Sequence, residues 1–392
     1  MRDCNLLGID TSKQSFALQM NDARGNVLFK KEVKRDKLLS TLAQTPKCII
    51  ALEACGGSHF WAREFAKLGH EVKLIAVQHV VPFRRSNKND TNDAAAIAEA
   101  ASRPTMNFVP VKEVWQQDLQ SLHRIRRRHI KNQTSLVNEV RGLLLEYGIT
   151  IPEGINYVRG LLPEIVQGRK HEQTEQMRKA LGNLHVELLQ VTDAIEEIDR
   201  DLETFCKENE LCQNLDEIEG IGPLTATALI AYSGNPYTYR NGRQFAASLG
   251  LVPGHTQTGG KNSAPIMMGI TKKGNSYVRT LLVQGGMSLV RATQATLKAQ
   301  EKKAKAEVEP KSETTKKSPL GPAPCRKRNK TKSEQEKFHR SETRRQWLSR
   351  IMNEKGVQKA AVAMANKNAR IAWVLLTKKV KYNPDKRFNC AA

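Results

Sequence analysis

Short apolar runs alternate with polar turns over the first eighty residues. Runs at 5–9, 14–20 and 26–33, with the turn Asp22-Ala23-Arg24-Gly25 before the last, predict three strands. A helix, a run at 48–53, a second helix and a run at 71–77 follow. The helix from about 58 to 69 carries Phe60, Trp61, Phe65 and Leu68 at helical spacing, which predicts a core-facing stripe.

Beyond residue 113 the period becomes helical. Leu119, Leu122, Ile125, Ile130, Val137, Val140 and Leu144 mark one long helix from 115 to about 147, broken at Gly148 to Gly154 with Pro152 inside the break. Leu181, Leu184, Leu188, Val191, Ile195, Ile198, Leu202 and Phe205 then keep spacings of three and four, the seam of a coiled coil. That seam predicts either a hairpin with the preceding helix or a dimer. Two helices joined at Gly220-Ile221-Gly222 form a helix-hairpin-helix pattern, whose turn amides can grip a phosphodiester strand. From about 300 to 343 the composition shifts to Lys, Glu, Thr, Ser and Pro, predicting a disordered basic linker, and helical pattern resumes through Trp347, Leu348, Ile351 and 362–376.

The expected organisation is therefore an α/β domain over 1–113, a helical coiled-coil arm over 114–210, a helical C-terminal domain over 211–299, the linker over 300–343 and a helical segment over 344–392. Three antiparallel strands followed by alternating helices and strands is the order of a ribonuclease H-like domain, and the spacing also fits an actin-like ATPase. An actin-like fold needs a phosphate-gripping glycine turn after its first strand, where this chain has Thr11-Ser12-Lys13.

The chemistry concentrates in carboxylates. Asp10 ends an apolar strand, where a charge has no packing reason to be. Glu53 ends another, and Asp90 and Asp93 lie three apart on the first turn of an alanine-rich helix, on the same side. Taken by themselves, the last two read as a helix N-cap and a first-turn acid. Four acids gathered in one cleft repel one another unless divalent cations hold them, so together they read as one metal site.

Net charge changes the picture of partners. At +23, with 39% hydrophobic residues, the chain suits a polyanion. Basic residues cluster outside any tail, at Arg84-Arg85, at Arg124 to Arg128 with Arg126, Arg127 and Arg128 exposed along the long helix, and at Lys272-Lys273. Lys88 precedes the acidic helix, and hydroxyls, paired glycines and Lys261 crowd His255 to Ser263, as backbone-phosphate contacts or a phosphate-attacking nucleophile require. The seven cysteines show no zinc spacing and read as reduced thiols. No run approaches a membrane span and no secretory leader precedes the first strand, so a cytoplasmic protein, nucleoid-associated when acting, is expected.

With these residues in view, the chain resembles the DEDD-type transposases of insertion sequences guided by their own bridge RNA. The resemblance rests on Gly8-Ile9-Asp10, Leu52-Glu53-Ala54 with Gly56-Gly57, Lys88-Asn89-Asp90 with Asp93-Ala94, and Gly220-Ile221-Gly222-Pro223. It continues through Leu249 to Pro253, Gly259-Gly260-Lys261, Gly269 to Asn275 and Ala365-Asn366-Lys367-Asn368-Ala369-Arg370, in family order. It implies a RuvC-like domain in which Asp10, Glu53, Asp90 and Asp93 bind Mg2+, a coiled-coil arm that assembles a dimer or tetramer, and a C-terminal domain supplying a serine that joins covalently to DNA. This chain has Gln257-Thr258 where the family carries a serine-rich pair, and its nearest serine, Ser263, follows the glycines, so Thr258 and Ser263 are both nucleophile candidates.

The implied activity is a DNA recombinase that excises and inserts its own element, with double-stranded DNA ends and targets and a guide RNA as partners. Lys88, Arg126, Arg127, Arg128, Gly220, Gly222, Lys261, Lys272, Lys273, Lys367 and Arg370 are the expected nucleic-acid contacts. The rival readings are a junction-resolving endonuclease that cuts by water attack and a catalytically inactive nucleic-acid-binding protein.

Overall fold

The computed structural model describes residues 5–84, 89–168, 173–256, 266–308 and 332–383. Unit 1 runs through Asp118 and regains Ala231–Thr238, while unit 2 takes Leu119–Ile230 and the chain from Tyr239 on.

Unit 1 is a mixed sheet with helices on both faces. Its strands are β1 (Leu6–Thr11), β2 (Ser15–Asn21), β3 (Val27–Lys34), β4 (Ile49–Glu53), β5 (Glu71–Ile75) and β6 (Phe108–Val109), in the order β3-β2-β1-β4-β5-β6. The first three pair antiparallel, β4 and β5 run parallel to β1, and β6 closes the edge antiparallel to β5. The first five strands fall within two residues of the apolar runs; β6, only two residues long, has no readable period.

Alternation along the strands decides which face meets which helix. Leu7, Ile9, Ile50 and Leu52 form one core with Leu38 and Leu42 of α1 (Leu38–Ala43) and Trp61 and Phe65 of α2 (Ser58–Lys67). Each such fully buried Leu or Phe contributes roughly 1.5–3 kcal/mol. The aromatic stripe of α2 is narrower than its spacing predicts: Phe60 is 44% exposed and only edges against Trp61. After the single turn α3 (Val77–Val80), α4 (Asp90–Ser102) covers the opposite face, packing Ala96, Ile97 and Ala100 on Ala51 and Ile75.

Unit 2 is helical apart from one hairpin. Its elements are α5 (Val114–Leu145, whose first turn belongs to unit 1), α6 (Ile155–Gln167), α7 (Glu175–Glu208), α8 (Glu210–Asp216), α9 (Pro223–Ser233), α10 (Gly242–Ser248), β7 (Pro253–Thr256), β8 (Ile266–Ile270), α11 (Ser276–Val308), α12 (Lys332–Lys355) and α13 (Val357–Lys378). The seam on α7 is enclosed within its own chain: Leu181 and Leu188 pack with Leu136, Val137, Val140 and Leu144 of α5 and Val158 and Leu162 of α6. This packing within one chain is what the hairpin reading of the seam expects.

The composition-based linker is helical at both ends, since α11 continues to Val308 and α12 begins at Lys332; residues 309–331 lie outside the described residues. Gly285 and Gly286 set the packing of α11. A Cβ at Gly285 would run into the Gly220 carbonyl oxygen, and one at Gly286 into that of Ala361 on α13. Among the described residues, no helix is long and apolar enough to cross a membrane.

Candidate active site

Three elements bring the acids together. Parallel pairing of Ile9 with Leu52 sets the next residues, Asp10 and Glu53, at the carboxyl ends of neighbouring strands. Gly8 shares the α4 face, and a Cβ there would strike the Ala94 carbonyl oxygen and lie 2.8 Å from the Ala98 amide nitrogen. The missing side chain therefore lets α4 lie backbone-close on β1, and Asp93, one residue before Ala94, meets Asp10, two residues after Gly8. Asn89, rather than Asp90, caps this helix: its side chain accepts from Asn92 N–H at 2.7 Å. Asp90, relieved of that duty, is exposed on the first turn, whereas Asp93 is 4% exposed.

The electrostatics follow from this convergence. Burial, and then the negative charges of Asp93, Asp90 and Glu53, push the Asp10 carboxyl up from 3.8 to about 6, against a hydrogen bond from the Thr11 backbone. Arg84, unnoticed by the sequence reading except as half of a basic pair, places its Nε 2.8 Å from Asp93 Oδ1 and its Nη2 3.4 Å from Glu53 Oε2. Beside these, Thr11 Oγ1 lies 3.0 Å from Cys55 Sγ.

Among the described residues, no three acidic, histidine or cysteine side chains close up at metal-coordinating spacing. The donors nevertheless have the right chemistry for a hard divalent cation: every one is a carboxylate oxygen, and Asp10 bears the repulsion of its three neighbours.

Because folding raises the Asp10 pKa, its contribution to stability is fully present below about 3.8 and lost as pH rises through about 6. In metal-free buffer, Asp10→Asn should therefore stabilise the protein at pH 7.5 relative to pH 5. The expected gain between these two pH values is up to about 1 kcal/mol: of the full linkage value of about 3 kcal/mol roughly half is already spent at pH 5, above the unfolded pKa, and solvent around a half-exposed carboxyl reduces the rest. Chemical denaturation of both proteins at the two pH values, with EDTA present, checks this; an equal difference at both would contradict it.

The expected nucleic-acid residues separate into groups. Arg127 and Arg128 are exposed on α5 with Arg124 and Lys131, and Lys272 and Lys273 are exposed beside Gly274. Arg126 is not part of that surface. Its Nε and Nη2 both donate to the Asp199 carboxylate, the latter at 2.9 Å, and it also hydrogen-bonds Tyr277. The same buried cluster holds His123, which lies 3.0 Å from the Tyr277 hydroxyl and 3.1 Å from Thr227 Oγ1, and burial lowers its pKa to about 4. Arg126 is thus an interior strut, drawn inward by a carboxylate on α7 that only the tertiary fold brings near.

Gly220 is also a packing residue: with φ +83, it presses against Gly285, while Gly222 is exposed with open space where a side chain would go. Lys367 and Arg370 are half-buried, the former 4.6 Å above the Trp347 ring. The asparagines of that motif are clasps. Asn366 donates to the Leu251 carbonyl at 3.1 Å and Asn368 to that of Glu219 at 2.9 Å. Lys88, Thr258, Lys261 and Ser263 lie outside the described residues; 257–265 joins β7 to β8.

The sequence matches two family models, one described as "Transposase" over residues 7–149 and one described as "Transposase IS116/IS110/IS902 family" over residues 212–301. The chain is 38% identical over 382 residues to the transposase for insertion sequence element IS1111A of Coxiella burnetii, covering 97% of this chain and 92% of that protein. The chain belongs to the IS116/IS110/IS902 family of transposases. A "Probable family 20 transposase" of Pseudomonas aeruginosa is 36% identical over 379 residues, spanning 96% of this chain and 98% of the relative. The transposase for insertion sequence element IS1328 of Yersinia enterocolitica is 41% identical over 286 residues, 72% of this chain and 83% of its own. In this transposase the first family model covers β1 to β6 and the four acids, and the second covers the Gly220 turn and the Thr271 to Asn275 segment.

Proposed function

We propose that this transposase excises and inserts its element by Mg2+-dependent strand cleavage and rejoining on a RuvC-like domain, through a covalent protein-DNA intermediate and under RNA guidance. The observation that carries the reading is the convergence of Asp93, Asp90 and Glu53 on Asp10, a charge arrangement that costs stability unless a cation is held there. Asp10, Glu53, Asp90 and Asp93 would hold Mg2+, which when bound stabilises charge developing on the phosphate. The hydroxyl of Thr258 or Ser263 would attack phosphorus, forming an ester to the protein as the DNA alcohol leaves; attack by a DNA hydroxyl reverses the exchange and rejoins the strand.

Arg124, Arg127, Arg128, Lys131, Lys272 and Lys273 suit contacts to phosphates rather than to base edges, consistent with sequence selection by a guide RNA. An assembly of two or four copies would use the outer face of the arm, where Tyr157, Leu161 and Val186 are exposed, since the seam itself is enclosed.

The deciding experiment incubates the transposase with Mg2+, flanking element RNA and labelled donor and target DNA, and resolves the products on a denaturing gel. A protein-DNA adduct is expected, lost in Thr258→Ala or in Ser263→Ala according to which hydroxyl attacks. Cleavage without an adduct would replace this reading with a hydrolytic junction endonuclease, and binding without cleavage with an inactive binder.

A further inference from the structure

Among the described residues, Arg84 is a cation that the acidic cluster already contains. Its guanidinium reaches both Glu53 and Asp93, the two acids that flank Asp10 from β4 and α4. The manner of contact is unlike that of a structural arginine. Arg126 closes two nitrogen-to-oxygen hydrogen bonds on one carboxylate, a rigid fork. Arg84 makes one long hydrogen bond, 3.4 Å, to Glu53 Oε2. Its 2.8 Å approach to Asp93 is off the hydrogen-bond axis, leaving Arg84 Nε and Asp93 Oδ1 buried without a hydrogen-bond partner among the described residues. The guanidinium thus supplies charge without locking geometry. A divalent ion drawing on Glu53 Oε2 or Asp93 Oδ1 competes with Arg84 for those atoms, and at either carboxylate it meets the like charge of the guanidinium.

Resting on the metal reading above, we propose that Arg84 is a resident counter-ion of the four acids, which metal entry displaces. It holds the cluster together when no metal is bound and lowers the affinity of the site for a divalent ion. Competition of this kind is reciprocal, so weakening the arginine strengthens the metal.

The test is calorimetric titration of Mn2+ alone into the full-length protein, wild type, Arg84→Gln and Arg84→Lys, at fixed ionic strength, with thermal unfolding in EDTA alongside. Arg84→Gln should bind Mn2+ about 3–10-fold more tightly than wild type and melt lower in EDTA, with Mn2+ restoring the melt. Arg84→Lys, a point charge unable to bridge both acids, should fall between and serves if the glutamine variant does not fold. A role in packing alone would weaken metal binding or leave it unchanged on substitution. Equal or weaker Mn2+ binding by the folded variants would overturn the proposal while leaving the metal site standing. Absence of Mn2+ binding in every protein would overturn both, whereas binding by Arg84→Gln and not by wild type would support the proposal in its strongest form.

Discussion

Asp10→Asn should reduce strand cleavage and joining by at least about a thousandfold while leaving nucleic-acid binding intact. The asparagine keeps the size and shape of the side chain at the end of β1, so packing of Leu7 and Ile9 beneath it is undisturbed. What it removes is the negative charge on which the other three acids converge. Asp90→Asn should be milder, because Asp90 is exposed on the first turn of α4 and Asp93 is buried against the sheet. Cleavage and gel-shift assays on the same preparations check the split. An Asp10→Asn protein retaining a tenth of wild-type cleavage would remove these acids from the chemistry.

The second large effect is expected from a methyl group. Gly8→Ala places a Cβ against the backbone of Ala94 and Ala98, atoms that cannot rotate away, so α4 must lift from β1. Overpacking of this kind costs typically about 1–3 kcal/mol, and the upper end or beyond is expected where backbone meets backbone. Because α4 carries Asp90 and Asp93, the same shift should separate them from Asp10, and cleavage should fall more steeply than stability. Gly142→Ala on α5 is the contrast: nothing lies within 4 Å of its Cβ, and gaining helix propensity should stabilise by up to about 1 kcal/mol. Urea unfolding of the two variants separates close approach from simple helix breaking; equal effects would refute the packing account.

Much of this was legible in the chain. The apolar runs located the first five strands because β1, β2 and β4, covered on both faces, bury successive residues rather than alternate ones, and Asp10 and Glu53 stood out because each ends such a run. The seam on α7 was readable because its buried positions recur at helical spacing, although pattern could not say which helix would cover it. What stayed hidden depends on partners distant in sequence. Arg126 looks like its neighbours Arg127 and Arg128 until Asp199 turns it inward. Arg84 is one half of a basic pair until Glu53 and Asp93 come to meet it. Asn89 was overlooked because Asp90, beside it, is an equally good cap by type, and only backbone geometry distinguishes the residue that stays extended. Gly285 and Gly286 carry no mark in a single sequence, since a glycine required for close approach looks like any other until the opposing backbone is in place.

The return of Ala231–Thr238 to unit 1 has a consequence for synthesis. Gln116 Nε2 donates to the Gly234 carbonyl at 3.2 Å, and Pro110 occupies the space a side chain at Gly234 would need. A ribosome that has released residue 118 must still make roughly 120 more before this segment is complete, about 6–24 s at typical elongation rates. During that interval nascent unit 1 waits with Gln116 and Pro110 uncovered by this segment. A chain cut short in that window lacks Ala231–Thr238, so Gln116 has no Gly234 carbonyl to donate to and unit 1 is left incomplete.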